Sequence, residues 1–187
     1  MPSFQITTSD YEHFASIPWC AKHLRGRRVI SGSPASRKRK SNGEDSLYAE
    51  TLKTQTTILA MLEVYEEPKL PTDRVDSLKM FLTLGSGLNG HPGICHGGIV
   101  VAILDEVIGL LIPTNQQRGT MKNLPFMTAY LNTTFLKPVP TCATIMARAR
   151  ILKVEGRKYH AEGWIEDGHG AILAHADALF VTLKSAL

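Results

Sequence analysis

The stretch that decides the fold is Ile99-Val-Val-Ala-Ile-Leu-Asp-Glu-Val-Ile-Gly-Leu-Leu-Ile112, in which only Asp105 and Glu106 are polar. It is long enough for about four helical turns. A surface helix keeps a polar face, whereas a helix that is apolar all round has to be covered on every side. Some other part of the chain is therefore expected to wrap it.

The wrapping element is legible downstream. Phe126 to Phe135, Ala143 to Val154, Lys158 to Glu166 and Ile172 to Leu183 are long, β-rich segments divided by Pro138-Val-Pro140, Gly156 and Asp167-Gly-His-Gly170. They predict four strands of a meander. Thr144, Met146, Arg148, Arg150 and Leu152 alternate with Ala143, Ile145, Ala147, Ala149 and Ile151, so one face is buried and the other partly polar. Upstream, Ser77 to Leu84 reads as another strand. It runs into Gly85-Ser-Gly-Leu-Asn-Gly-His-Pro-Gly93, a loop whose glycines let backbone approach a ligand closely. The expected fold class is α+β, an antiparallel sheet wrapped around a central apolar helix.

Residues 1–45 mix short apolar pieces, such as Phe14, Ile17 and Trp19, with a Gly-, Ser-, Pro- and Arg-rich stretch from Gly26 to Gly43, and they read as an arm. From Asp45 to Tyr65 the positions Leu47, Leu52, Ile58, Met61, Leu62 and Tyr65 recur near helical spacing. With Ser46 as cap and Pro68 as stop, this predicts a helix, with a break near Thr54 allowed. The chain then divides into residues 1–76, an arm and helix packed on the domain, and residues 77–187, the domain itself.

A length of 187 residues, 43% hydrophobic and 20% charged, suits one globular domain with extensions. No run of about 18 apolar residues stands out in the sequence, so no membrane span is expected. The first twenty residues carry Asp10 and Glu12, no Lys or Arg, and no signal-peptide pattern. Cys20, Cys95 and Cys142 have neither CxxC nor Cys/His ligand spacing, which suggests no disulfide frame and no metal site. A cytoplasmic protein without metal or cofactor is expected. The net charge of +4 sits partly in Arg25, Arg27, Arg28 and Arg37-Lys-Arg-Lys40. Three readings stay open for these: a solvated loop, a nuclear or nucleic-acid patch, or a clamp on the phosphates of a carrier such as coenzyme A. No aromatic residue is interleaved to stack on bases, so no nucleic-acid partner is expected.

His96-Gly97-Gly98 followed by Asp105, in the run His91-Pro-Gly-Ile-Cys-His-Gly-Gly-Ile-Val-Val-Ala-Ile-Leu-Asp105, resembles the HGG…D signature of phenylacetic-acid-type thioesterases and their mitochondrial and fungal relatives. The element order is similar to the hotdog fold of that superfamily. The likeness runs from about Ser77 to the C-terminus and includes Thr128 to Pro138. Residues 1–76, with Ile17-Pro-Trp-Cys20 and Gly43-Glu-Asp-Ser-Leu-Tyr48, resemble the N-terminal extension of fungal members. The resemblance implies hydrolysis of an acyl thioester, on coenzyme A or on the phosphopantetheine of a carrier protein. Asp105 is then general base or nucleophile, the Gly97 amide polarises the carbonyl, and Thr128 holds the attacking water or the carboxylate. Many relatives place an Asn six residues before the motif histidine; that position here is Gly90. The flanking Asn89 and His91, with His96 and Gly98, are the substrate-binding candidates.

The residues suit that chemistry in their own right. Thioester hydrolysis needs a donor where negative charge develops and a base or nucleophile to deliver oxygen. Gly97 and Gly98 begin the apolar helix, where N–H groups lack intrahelical partners and the helix dipole is positive. Asp105 stands in a helix built for a dry core, and burying an unpartnered carboxylate costs several kcal/mol, on the order expected for buried ions. It either works there or caps or pairs with a neighbour. Glu106, about 100° further around the helix, is the competing acid. Gly97 and Asp105 are eight positions apart, about 12 Å along a helix, whereas groups acting on one carbon must come within about 3 to 3.5 Å. If both act, one subunit supplies the helix start and another the carboxylate, which predicts a homodimer. The resemblance implies the same, often with dimers pairing into tetramers.

No GxSxG elbow is present, and Cys95 reads more readily as a small buried thiol than as a nucleophile. Two other functions stay open. One is a dehydratase or hydratase on a carrier-bound acyl chain, with His91 or His96 facing Asp105. The other is a non-catalytic acyl-binding module. The acyl chain itself depends on pocket shape, which no single residue encodes.

Overall fold

The computed structural model describes residues 9–184; the first eight residues of the arm and the last three of the chain lie outside the described residues. The arm opens with helices α1 (Asp10–Ala15) and α2 (Pro18–Ala21), and strands β1 (Val29–Gly32), β2 (Ile58–Glu66) and β3 (Ser77–Leu84) follow. A small hairpin, β4 (Asn89–His91) and β5 (Ile94–Cys95), leads into helices α3 (Gly97–Gly109) and α4 (Leu111–Gln117). The chain ends in β6 (Phe126–Phe135), β7 (Ala143–Glu155), β8 (Lys158–Glu166) and β9 (Ile172–Thr182). Seven strands form one antiparallel sheet in the order β1-β2-β3-β7-β8-β9-β6.

Alternation along each strand sorts the side chains between two cores. Leu78, Met80, Leu82, Ile145, Ala147 and Ala149 face Val100, Ile103, Leu104, Val107 and Ile108 of α3 in the main core. Gly163 on β8 lets the helix come close, since a Cβ there would meet Ile108 Cγ1 at 2.8 Å. On the other face Ala60, Leu62, Val64, Phe81 and Met146 pack against Phe14, Cys20 and Leu24 of the arm. The sheet is thus sandwiched between the apolar helix and the arm. A capping box between Ser9 and Glu12 holds the start of α1.

Four expectations are corrected. The segment from Asp45 to Tyr65 is not a helix: one π-helical turn, Leu47–Thr51, is followed by β2. Thr54, Thr56 and Thr57 bond one another's side chains and backbone in the break, and Ile58 to Val64 alternates between the two cores. Residues 1–76 consequently supply two strands of the sheet as well as the arm. The last four strands are not a simple meander, because β6 pairs with β9 at the outer edge and not with β7. Its exit, residues 136–142, cannot close a tight hairpin. Leu136 and Lys137 donate to Leu173 O, and Val139 and Thr141 are tied to the β4–β5 hairpin through Cys95 and Gly93. Finally, Gly97–Gln117 spans 21 residues and is long and apolar enough to cross a bilayer. Sheet packing accounts for that composition. Even so, α3 is not covered on every side, for Val101, Ala102 and Asp105 are only half-buried.

Arg37 shows what part of the basic run does. Its guanidinium, 2% exposed, donates from Nη1 to the carbonyls of Tyr48 and Leu52 at 3.2 Å each and from Nη2 to Ile58 O at 2.9 Å. It ties the returning arm to the sheet. Arg39 pairs with Glu50, and Lys40 with Glu44 and Asp45.

Candidate active site

His96 is the N-cap of α3, with extended backbone and a ring Nδ1 that accepts the Gly98 amide at 3.0 Å. That cap uses one of the orphan donors at the helix start. The Gly97 amide keeps no hydrogen-bond partner among the described residues. Gly97 is exposed, and a Cβ there would lie 3.6 Å from the Phe135 ring. A helix N-terminus with a free amide and no side chain in front of it is a ready oxyanion donor. Of the two glycines, then, the structure leaves Gly97 open and commits Gly98 to His96.

Asp105 lies two turns further along the same unbroken helix. Its Oδ1 accepts from Thr128 Oγ1 at 2.9 Å, and no histidine bonds it among the described residues. Burial pushes the Asp105 carboxyl up, and the Thr128 hydroxyl pulls it partly back. Thr128 reaches the helix from the outermost strand at a register break between Thr128 and Tyr130, a bulge of the kind that re-aims a side chain. The pair sits on a partly open seam between α3 and β6.

Glu106 turns away from this seam. It lies under the arm, where burial first, and then the negative neighbours Asp45, Asp105 and Glu63, push its carboxyl up to about 7 against the opposing effect of the Ser36 hydroxyl. Glu106 Oε1, Ser36 Oγ and Tyr48 Oη are all buried without a hydrogen-bond partner among the described residues. Burial, together with Glu106 and Asp105, also raises the Tyr48 phenol well above its ordinary value. Nothing in the sequence pattern indicated that Ser36 and Tyr48 meet the central helix.

The remaining candidates fall at the hairpin. Asn89 Oδ1 accepts from Thr141 Oγ1, which fixes the amide and leaves its Nδ2 as the arm that could donate to a thioester oxygen. Gly90 cannot carry a side chain, since a Cβ would come within 2.9 Å of His96 Cα. His91 is exposed on β4 opposite Ile94. The Cys95 thiol is buried, and burial pushes it up to about 11, which keeps it protonated and unsuited to attack.

A sheet wrapped on an apolar helix, with a glycine amide at the helix start and a carboxylate in its middle, has the hotdog thioesterase arrangement. Residues 92–174 match the thioesterase superfamily. The acyl-coenzyme A thioesterase THEM4 of Mus musculus is 31% identical over 100 residues, 53% of this chain and 40% of that protein. Verlamelin biosynthesis protein B of Lecanicillium sp is 29% identical over 167 residues, covering 72% of this chain and 71% of its own. The chain thus spans less than half the length of the mouse relative. A hypothetical thioesterase protein of Streptococcus pneumoniae solved with coenzyme A shares the fold, with a TM-score of 0.52, 13% identity, and coverage of 61% of this chain and 84% of that one.

Proposed function

We propose that this chain hydrolyses an acyl thioester to a free acid and a thiol, working as a homodimer in the cytoplasm. The observation that carries the reading is the Thr128–Asp105 hydrogen bond on an open seam, combined with an unpartnered Gly97 amide on the same helix. The two groups are about 12 Å apart along one rigid helix, so Asp105 of one subunit acts with Gly97 of the partner subunit. The carbonyl oxygen accepts from that amide. Asp105 then takes a proton from water as it attacks, or attacks the carbonyl itself to form an anhydride that water opens. Collapse of the tetrahedral intermediate expels the thiolate.

The edge of β6 supports the dimer. Its outer side has no strand partner among the described residues, and Met127, Tyr130, Phe135 and Leu136 beside the seam are 42–55% exposed. An apolar unpaired edge invites strand pairing with a second copy. The acyl-coenzyme A activity named for the mouse relative and the coenzyme A held by the streptococcal protein support a coenzyme A ester as substrate. The Lecanicillium relative supports a fungal source.

The test is free-thiol release from short, long and aromatic acyl-coenzyme A esters, with Asp105→Asn beside the native chain. Loss of a general base predicts a fall of about a hundredfold or more. Undiminished hydrolysis in the variant would remove Asp105 from the mechanism. No release from any ester by the native chain would count against the coenzyme A reading.

A further inference from the structure

The face of the sheet turned away from α3 carries a second feature that the chemistry at Asp105 does not use. Between the arm and this face runs an open groove of about 1190 Å³. In its floor Lys79 of β3 stands directly opposite Arg148 of β7 in the strand register, and like charges in that position repel. The arm adds more nitrogen to the same spot, with Lys79 Nζ 3.2 Å from His23 Nδ1. Lys79 therefore donates to a ring nitrogen and not to a carboxylate. Burial and the Arg148 charge hold Lys79 below its ordinary value, and burial with Lys79 and Arg148 does the same to His23.

The nearby carboxylates offset this charge only in part, with Glu66 and Glu166 acting on Lys79 against burial and Arg148. Glu166 is taken by Arg148 at 3.2 Å and by the Trp164 indole, Glu162 by Arg150, Asp76 by Arg74, and Glu67 by Arg118. Glu66 and Asp73 are left to face Lys79 and the groove-lining Lys22, Arg25, Arg28 and Lys69, which make no ion pair among the described residues. Repelling cations gathered by two separate parts of the fold are stabilised by a compact, multiply charged anion. Phosphate meets that need, since each group brings more than one charge and its oxygens match the guanidinium fork.

We propose that this groove binds a small phosphate-bearing ligand, its phosphates seated between Lys79 and Arg148 of the sheet and Lys22, Arg25 and Arg28 of the arm. The site lies across the sheet from α3 and is independent of the hydrolytic reading. Because its cations come from both arm and sheet, the ligand fastens one to the other.

Isothermal titration of the full chain with inorganic pyrophosphate, and separately with ADP, tests this. Saturable binding is expected, at least tenfold weaker in Lys79→Gln and in the exposed pair Arg25→Gln/Arg28→Gln, and unchanged in the charge-matched distant pair Lys122→Gln/Lys158→Gln. Relief of the repulsion with Arg148 means that Lys79→Gln should melt no lower than the native chain, so lost binding is not lost folding. Tighter binding of ADP than of pyrophosphate would make the ligand a nucleoside diphosphate, and equal binding would make phosphate alone sufficient. The proposal is overturned by equal weakening in the distant pair, by no saturable binding of either probe, or by binding of polyglutamate alone through these residues.

Discussion

The Thr128 hydroxyl donates to Asp105 Oδ1 at 2.9 Å across the seam between the outermost strand and the central helix. This bond stabilises the ionised carboxylate against the burial that raises it. Removing it in Thr128→Val should raise the Asp105 pKa further. A hydrogen bond to a charged group contributes on the order of 1.5 kcal/mol, about tenfold in protonation or rate. The acid limb of the kcat/KM profile should move to higher pH, and thioester hydrolysis should fall on that limb by up to about that factor. Thr128→Ser should keep both. Identical pH profiles for native and Val forms would show that the hydroxyl does not act on the carboxylate.

Gly97 at the helix start and Gly90 on β4 should respond differently. In Gly97→Ala the new methyl meets Phe135 at 3.6 Å, an ordinary contact, and alanine favours helix over glycine by up to about 1 kcal/mol. Stability should hold while kcat/KM falls, because the methyl crowds the free amide. Gly90→Ala places a Cβ 2.9 Å from His96 Cα and should lower the melting temperature as well as activity. A Gly97→Ala chain with native kcat/KM would mean that this amide does not meet the carbonyl.

How far the sequence carried the reading can be seen residue by residue. The apolar run around Asp105 made the central helix legible, because local composition and length decide burial. Ser77 to Leu84 and the four segments that became β6, β7, β8 and β9 were legible from β-rich composition between turn residues, with alternation plain in β7. The strand Ile58–Glu66 was misread because Ile58, Met61, Leu62 and Tyr65 fit a helical period as well as a two-sided strand buried between two cores. Pairing of β6 with β9 depends on where residues 136–142 are anchored, a non-local fact. In the site, Gly97 and Asp105 stood out by chemistry. Capture of the Gly98 amide by His96 and the meeting of Ser36 and Tyr48 with Glu106 are tertiary outcomes with no short-range signal.

Arg37 should be a structural residue and not a ligand contact. Its guanidinium serves three buried carbonyls, of Tyr48, Leu52 and Ile58. Arg37→Met leaves all three without a donor, at roughly 1–3 kcal/mol for each unsatisfied buried group, so urea denaturation should show a loss of about 3 kcal/mol or more. Arg37→Lys should recover little, since one ammonium cannot reproduce the planar fork. A variant as stable as the native chain would show that water or another group satisfies these carbonyls.

Glu106 gives the stability of the fold a pH dependence whose sign follows from its surroundings. Its carboxyl rises from an ordinary 4.5 to about 7, with burial the largest cause. Below 4.5 the group is protonated whether the chain is folded or not, and it takes nothing from stability. Between 4.5 and about 7 the unfolded chain releases the proton while the folded chain keeps it, so stability declines as pH rises. Above about 7 the full loss is present, about 3 kcal/mol at 1.36 kcal/mol per pH unit. Glu63 and Asp105 are raised in the same direction, so the contribution of Glu106 is read from the difference between native and Glu106→Gln. That difference should grow in favour of the variant from pH 4.5 to 7 and then level off. Thiol release should persist in Glu106→Gln, because this side chain faces the arm and not the Thr128 seam. Parallel stability curves would mean that Glu106 is ionised in the fold, with a counter-charge or water beneath the arm.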